Sequence, residues 1–150
     1  MLLGLLLAIA GILVRAWVGT PYRTILELGI GEIVPPVWLM TLLWTLSLFV
    51  NGCAAGLALS YRLGGCDTEK YKGGMYFLLL TVLELLWYPT LFGASLVFLS
   101  VLEALLILCF AVATTLSFYR VTKLAGMLLF LHDIWLLYAV ILNIAVLVQC

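Results

Sequence analysis

Charged residues are scarce in this chain. Of its 150 residues, seven are Lys or Arg, seven are Asp or Glu and one is His, so the formal net charge is zero. Such a chain offers no basic surface for nucleic acid and no acidic tail. Its four cysteines show no C-x-x-C or metal-type spacing, so neither a disulfide framework nor a metal site is indicated.

Motifs for nucleotides and nucleophiles are missing as well. The sequence contains no Gly-rich phosphate loop, no G-x-S-x-G and no H-E-x-x-H. Soluble catalytic chemistry is therefore a poor starting hypothesis, and no cofactor is expected.

Apolar residues make up most of the sequence. They account for 67% of the chain, and the mean hydropathy is +1.31. A bilayer requires such a composition, and helices satisfy their own backbone hydrogen bonds there. We predict an all-α integral membrane protein, a single domain over residues 1–150, folded as a bundle of five transmembrane helices. The predicted spans are residues 2–18, 37–60, 75–92, 96–119 and 124–148, with an exposed loop at 61–74.

The N-terminal segment and the loop charges predict a topology. Ala8-Ile9-Ala10 looks like a signal-peptide cleavage site, but Arg15 follows the apolar run instead of preceding it, so we expect the first helix to be retained. The positive-inside rule places the N-terminus and the more basic loops in the cytoplasm. Those loops carry Arg62, Lys70, Lys72, Arg120 and Lys123, against Arg15 and Arg23 on the other side.

Three carboxylic acids fall inside predicted spans: Glu84, Glu103 and Asp133. A charged group at mid-helix costs about 2.5–3.5 kcal/mol on insertion scales, so each needs a reason. They could line a cavity or bind a proton or cation. Alternatively, they could be protonated and hydrogen-bonded to a neighbouring helix.

Helical spacing groups polar and aromatic residues on two faces. One face, in the second helix, carries Trp44, Ser47, Asn51 and Ala55, and another, in the fifth, carries His132, Trp135, Ala139 and Asn143. Rings beside small side chains suit a flat apolar ligand, but ordinary helix packing gives the same pattern. His132 alone does not indicate a metal site. Gly52-x-x-x-Gly56 predicts a close helix contact, either within the chain or across a dimer.

Several segments resemble the translocator protein family, also called tryptophan-rich sensory proteins or peripheral-type benzodiazepine receptors. WYPTLFGA at 87–94 is similar to its W-P-P-x-F-F-G-A segment, and Ala113-Thr114-Thr115 with Phe118-Tyr119 is similar to its A-T-T-x-x-W-Y stretch. The fifth-helix pattern and the upstream order of Arg15, Arg23, Pro35-Pro36, Trp38, Trp44 and Gly52 also match. The resemblance covers most of the chain.

This resemblance implies a pocket for porphyrins or sterols such as cholesterol, in a protein that often forms homodimers. The membrane would be the mitochondrial outer membrane in a eukaryote or a cell-envelope membrane in a bacterium. Carried over by position, the pocket residues are Leu43, Trp44, Trp87, Leu106, Trp135, Ala139 and Leu142. We add Asn143, Glu84 and, as a partner for porphyrin propionates, Arg23.

The chain also departs from the family pattern. Tyr88 replaces the first proline of W-P-P, Glu84 replaces an asparagine, and Leu99 replaces a tryptophan of the vertebrate pocket. The C-terminal sterol motif is missing, although Leu116-x-x-Tyr119-x-x-x-Lys123 fits a loose cholesterol-type pattern. A tetrapyrrole is therefore the favoured ligand over cholesterol.

Two other readings stay open. A small membrane enzyme, such as a sterol isomerase, would move protons with Glu84, Glu103 and His132, and a porphyrin-degrading one would use Trp44 and Trp135 as redox-active rings. An inert assembly subunit would bind no ligand and would tolerate Trp135→Ala.

Overall fold

The computed structural model describes residues 1–19, 35–61 and 67–149. Its elements are α1 (Leu2–Val18), α2 (Val37–Ser60), α3 (Asp67–Tyr88), a π-helical turn (Pro89–Gly93), α4 (Val97–Val121) and α5 (Lys123–Gln149). The predicted five-helix bundle is confirmed. Arg23 and Arg62 lie outside the described residues.

Helix length separates α1 from the other four helices. α2 to α5 supply four apolar stretches of 23 to 26 residues, each long enough to cross a bilayer. α1 is apolar but has 17 residues, which gives about 26 Å at 1.5 Å per residue, against a hydrocarbon core of about 30 Å. α1 therefore needs a locally thinner bilayer or partners at its ends to span the membrane.

The helices form a ring in the order α1, α2, α5, α4, α3, and α3 closes the ring against α1. Apolar side chains point outward, as Leu6, Leu102 and Ile134 do, whereas small and polar residues such as Ala54 and Asn51 are fully buried. Lipid is as apolar as leucine, so close packing and hydrogen bonds hold such a bundle together. The polar groups are consequently concentrated between the helices.

α1 and α2 approach closely at a glycine pair. A Cβ built on Gly52 would lie 2.6 Å from the Cα of Gly4. Real Cβ atoms essentially never come this close to another heavy atom. A Cβ on Gly56 would meet only Leu3, at 3.9 Å. The predicted Gly52-x-x-x-Gly56 contact is therefore made within the chain, against α1.

α3 begins earlier than the sequence predicts. The sequence predicts a loop over residues 61–74 and a helix that starts at residue 75, but α3 starts at Asp67. Two contacts explain the early start of α3. Glu69 pairs with Lys72 at 3.8 Å and with Arg120 of α4 at 3.3 Å, and Gly73 leaves room for the Phe118 ring, which a Cβ would meet at 2.6 Å. The polar turns are thus helical because they pack against the end of α4.

A π turn joins α3 to α4. Pro89 has no N–H with which to continue the α-helical ladder, and its carbonyl accepts a hydrogen bond from the Ala94 N–H, five residues on, at 2.9 Å. Ser95 then takes a positive φ of 54° and reverses the chain. The widened turn ends α3 directly after Trp87 and Tyr88, whose rings face the bundle interior.

Candidate functional site

A small cavity lies between α2, α3, α4 and α5. Its volume is about 20 Å³, which is room for one water molecule. The lining consists of three indole rings, one carboxylic acid and small or aliphatic side chains: Trp44, Glu84, Trp87, Ala104, Ile107, Trp135, Leu136 and Ala139.

The tryptophans divide into two groups. Trp44 and Trp87 are buried, and Trp44 stacks on Tyr88 with ring centroids 4.9 Å apart. Trp135 lines both the cavity and an outer groove of about 200 Å³ between α2 and α5. By contrast, Trp17 and Trp38 are 79% and 68% exposed. Three of the five tryptophans of the chain therefore meet at one cavity, and the other two face outward.

A chain of polar side chains runs across the bundle beside the cavity. His132 Nε2 lies 2.8 Å from Glu84 Oε1, and Ser47 Oγ lies 2.6 Å from His132 Nδ1. Asn51 Nδ2 donates to the second carboxyl oxygen of Glu84 at 3.0 Å. All four residues are buried, and these contacts lower the cost of keeping polar groups inside a membrane protein. Asn51 Oδ1 makes no hydrogen bond with the described residues.

The other two intramembrane acids have different hydrogen-bond partners. Thr115 of α4 donates to Asp133 Oδ2 at 2.8 Å, on the side of α5 next to α4. Glu103 is buried on α4 beside Thr90. Neither acid lines the cavity, so Glu84 is the intramembrane carboxyl group in position to meet a ligand there.

Asn143 fixes the orientation of Trp87. Its side-chain oxygen accepts from Trp87 Nε1 at 3.4 Å and from Ser100 Oγ at 2.8 Å, and its amide nitrogen donates to the Ala139 carbonyl at 2.7 Å. Asn143 is fully buried. It therefore ties α3, α4 and α5 together behind the cavity wall.

The structure brings together five of the residues expected at the pocket: Trp44, Glu84, Trp87, Trp135 and Ala139. Leu43 lines the outer groove instead, Leu106 is 52% exposed, and Leu142 and Asn143 are buried behind the lining. Arg23 lies outside the described residues. Ala104, Ile107 and Leu136 line the cavity although they were not expected. The spacing of Ala104, Ile107 and Ala111, three and four residues apart, marks the buried face of α4 and could have indicated the first two.

The chain is similar to known proteins along nearly its whole length. The sequence profile of the TspO/MBR family matches residues 2–149. A curated relative, the tryptophan-rich protein TspO of Chlorobaculum tepidum, is 32% identical over 113 residues, which are 75% of this chain and 70% of the relative. The chain belongs to the TspO/MBR family. With its four long apolar helices, this family member is a multi-span integral membrane protein.

Proposed function

We propose that this TspO/MBR member captures a flat, largely apolar ligand, a tetrapyrrole in the first instance, between α2, α3, α4 and α5. The observation that carries the proposal is the convergence of Trp44, Trp87 and Trp135 on one buried cavity. Ring stacking and apolar burial supply the affinity, and the small side chains of Ala104 and Ala139 leave space for a ring system.

Capture requires the cavity to enlarge. A volume of about 20 Å³ holds one water, whereas ligand sites typically measure about 300–1,000 Å³. Trp135 is the side chain that separates the cavity from the outer groove between α2 and α5. Movement of this ring would merge the two spaces, and the function would then be transport, sensing or sequestration of the captured ligand.

Titration with protoporphyrin IX tests the proposal. Tryptophan fluorescence of the detergent-purified protein should be quenched saturably, and Trp135→Ala and Trp44→Phe should each weaken binding by about tenfold, since a buried ring contact contributes roughly 0.5–1.5 kcal/mol beyond its area. Trp38→Phe is the matched control, because Trp38 is on α2 but 68% exposed. Binding that is indifferent to both cavity substitutions would refute the proposal.

A sterol is the alternative ligand. Leu116 and Tyr119 of the cholesterol-type pattern line a second, outer groove of about 570 Å³ that also includes Leu124. A sterol held there would leave the cavity free. Cholesterol should therefore not displace protoporphyrin IX, and displacement would favour a sterol in the cavity itself.

A proton-moving membrane enzyme is the second candidate function, and one observation favours it. Glu84 and His132 lie 2.8 Å apart beside the cavity, which is the acid and base pairing that an isomerisation needs. Turnover of a Δ5-3-ketosteroid that Glu84→Gln abolishes would support an enzyme. If a preparation that binds its ligand does not turn over the Δ5-3-ketosteroid, this isomerase activity is excluded.

The homodimer expected from the family must use another surface than Gly52, because α1 covers that glycine. Light scattering of the detergent complex, corrected for bound detergent, distinguishes one copy from two. A cell-envelope membrane in a bacterium, or the mitochondrial outer membrane in a eukaryote, is the proposed location.

A further inference from the structure

The cavity has the chemistry of a cation site. Among the described residues that line it, Glu84 is the one ionisable group, and three indole rings surround the same space. The face of an indole is negative and attracts cations, most strongly when water is excluded. An apolar cation would therefore meet three favourable rings and one carboxyl group, whereas an anion would meet no opposite charge on this lining.

Glu84 and His132 lie close enough to hold one proton between them. With one proton between them, the pair is neutral overall, whether it consists of a carboxylate and an imidazolium or of a carboxylic acid and an imidazole. The 2.8 Å separation of Oε1 and Nε2 permits both forms. Losing that proton leaves one negative charge beside the cavity, which only a cation in the cavity would neutralise.

Few other charges act on the pair. α5 contributes Asp133, which is bonded to Thr115, and α4 contributes Glu103, beside Thr90. α2 presents only the neutral Ser47 and Asn51. On α1, Arg15 lies near the Tyr88 hydroxyl. The described interior thus holds three acids, one imidazole and, at the Tyr88 hydroxyl, the Arg15 guanidinium. Of these groups, Glu84 is the one that lines the cavity.

We propose that the cavity takes an apolar cation, such as a quaternary ammonium or phosphonium, in exchange for the proton held between Glu84 and His132. One positive charge enters and one proton leaves, so the charge inside the membrane is unchanged. Water that reaches the cavity when the bundle opens accepts the released proton and carries it to the buffer. The inference rests on the proposed ligand pocket but not on a tetrapyrrole as its natural occupant.

Tetraphenylphosphonium is the probe, with neutral triphenylphosphine oxide as its counterpart. Calorimetric titration of the wild-type protein in buffers of different ionisation enthalpy measures the protons released on binding. We expect saturable binding, release of up to one proton per cation, and affinity that falls as the pH is lowered, by at most about tenfold per pH unit. Binding of triphenylphosphine oxide should not depend on pH.

Glu84→Gln and Glu103→Gln form a matched pair of variants, because both acids are buried but only Glu84 lines the cavity. Glu84→Gln should weaken tetraphenylphosphonium binding by at least about tenfold and abolish proton release, as expected for a desolvated cation that loses its counter-charge. Glu103→Gln should change neither. If Glu84→Gln does not fold, proton release by the wild-type protein decides alone.

Two results would overturn the exchange: tetraphenylphosphonium binding without proton release, or binding that Glu84→Gln leaves unchanged. Saturable protoporphyrin IX binding without any tetraphenylphosphonium binding would refute the cation site and leave the proposed function standing. Saturable binding of neither compound would refute both.

Discussion

Asn143 lies behind the cavity lining, and its removal should cost stability. It accepts hydrogen bonds from Trp87 and Ser100 and donates one to its own helix. Asn143→Ala leaves the buried indole N–H unpaired, and we expect a loss of about 1–3 kcal/mol in the free energy of unfolding. Ile144→Ala, at a neighbouring 44% exposed position, is the control for unfolding in mixed detergent micelles. Equal losses in both variants would contradict this role.

At the scale of single residues, the sequence predicts part of the candidate site. Helical spacing correctly grouped Trp44 with Ser47 and Asn51, because positions three and four apart share a helix face. The same spacing says nothing about which other helix that face meets. The contact of Glu84 with His132 therefore could not be predicted, since it depends on α3 and α5 lying across the bundle interior from each other.

The glycine contact between α1 and α2 predicts a stability change for a whole element. Gly52→Ala would place a methyl group against the backbone of Gly4, which cannot yield as a flexible side chain would. α1 must then move away, and we expect a loss of about 1–3 kcal/mol, as for other overpacked sites. Gly56→Ala, one turn further along α2, meets only Leu3 Cβ at 3.9 Å and should be tolerated. Thermal unfolding of both variants in detergent measures the difference in stability. Tolerance of Gly52→Ala would show that α1 is not held at this point.

The elements themselves divide into those that hydropathy finds and those that it misses. Long apolar runs located α2, α4 and α5 to within a few residues, because the bilayer requires such runs. The first two turns of α3 were missed, since Asp, Lys and paired glycines in residues 67–74 read as a loop. Those turns are helical through contacts with Arg120 and Phe118, which are more than forty positions away in sequence and invisible to a local pattern.

At the scale of the whole molecule, the basic groups that the structure describes lie mostly at one end. Lys70, Lys72, Arg120 and Lys123 are at the end where α3 begins and α4 finishes, whereas Arg15 is near the opposite end of α1. We therefore predict that this end faces the cytoplasm. A cysteine introduced at Lys72, in a variant whose four native cysteines are replaced by serine, should react with a membrane-impermeant maleimide only after the cells are opened. Labelling of intact cells would reverse the orientation.

The bundle as a whole must open before it can bind. The cavity holds one water, so a ligand of ring-system size has to wait for a conformation in which Trp135 leaves the wall between the cavity and the outer groove. Binding limited by such a step has an observed rate that reaches a plateau as ligand concentration rises. Stopped-flow quenching with protoporphyrin IX should show this plateau, and Trp135→Ala should raise it because the indole between the two spaces is absent. Trp38→Ala, on the outer surface, should leave the plateau unchanged. A rate that stays linear in ligand concentration up to the solubility limit would mean that the resting bundle is already open.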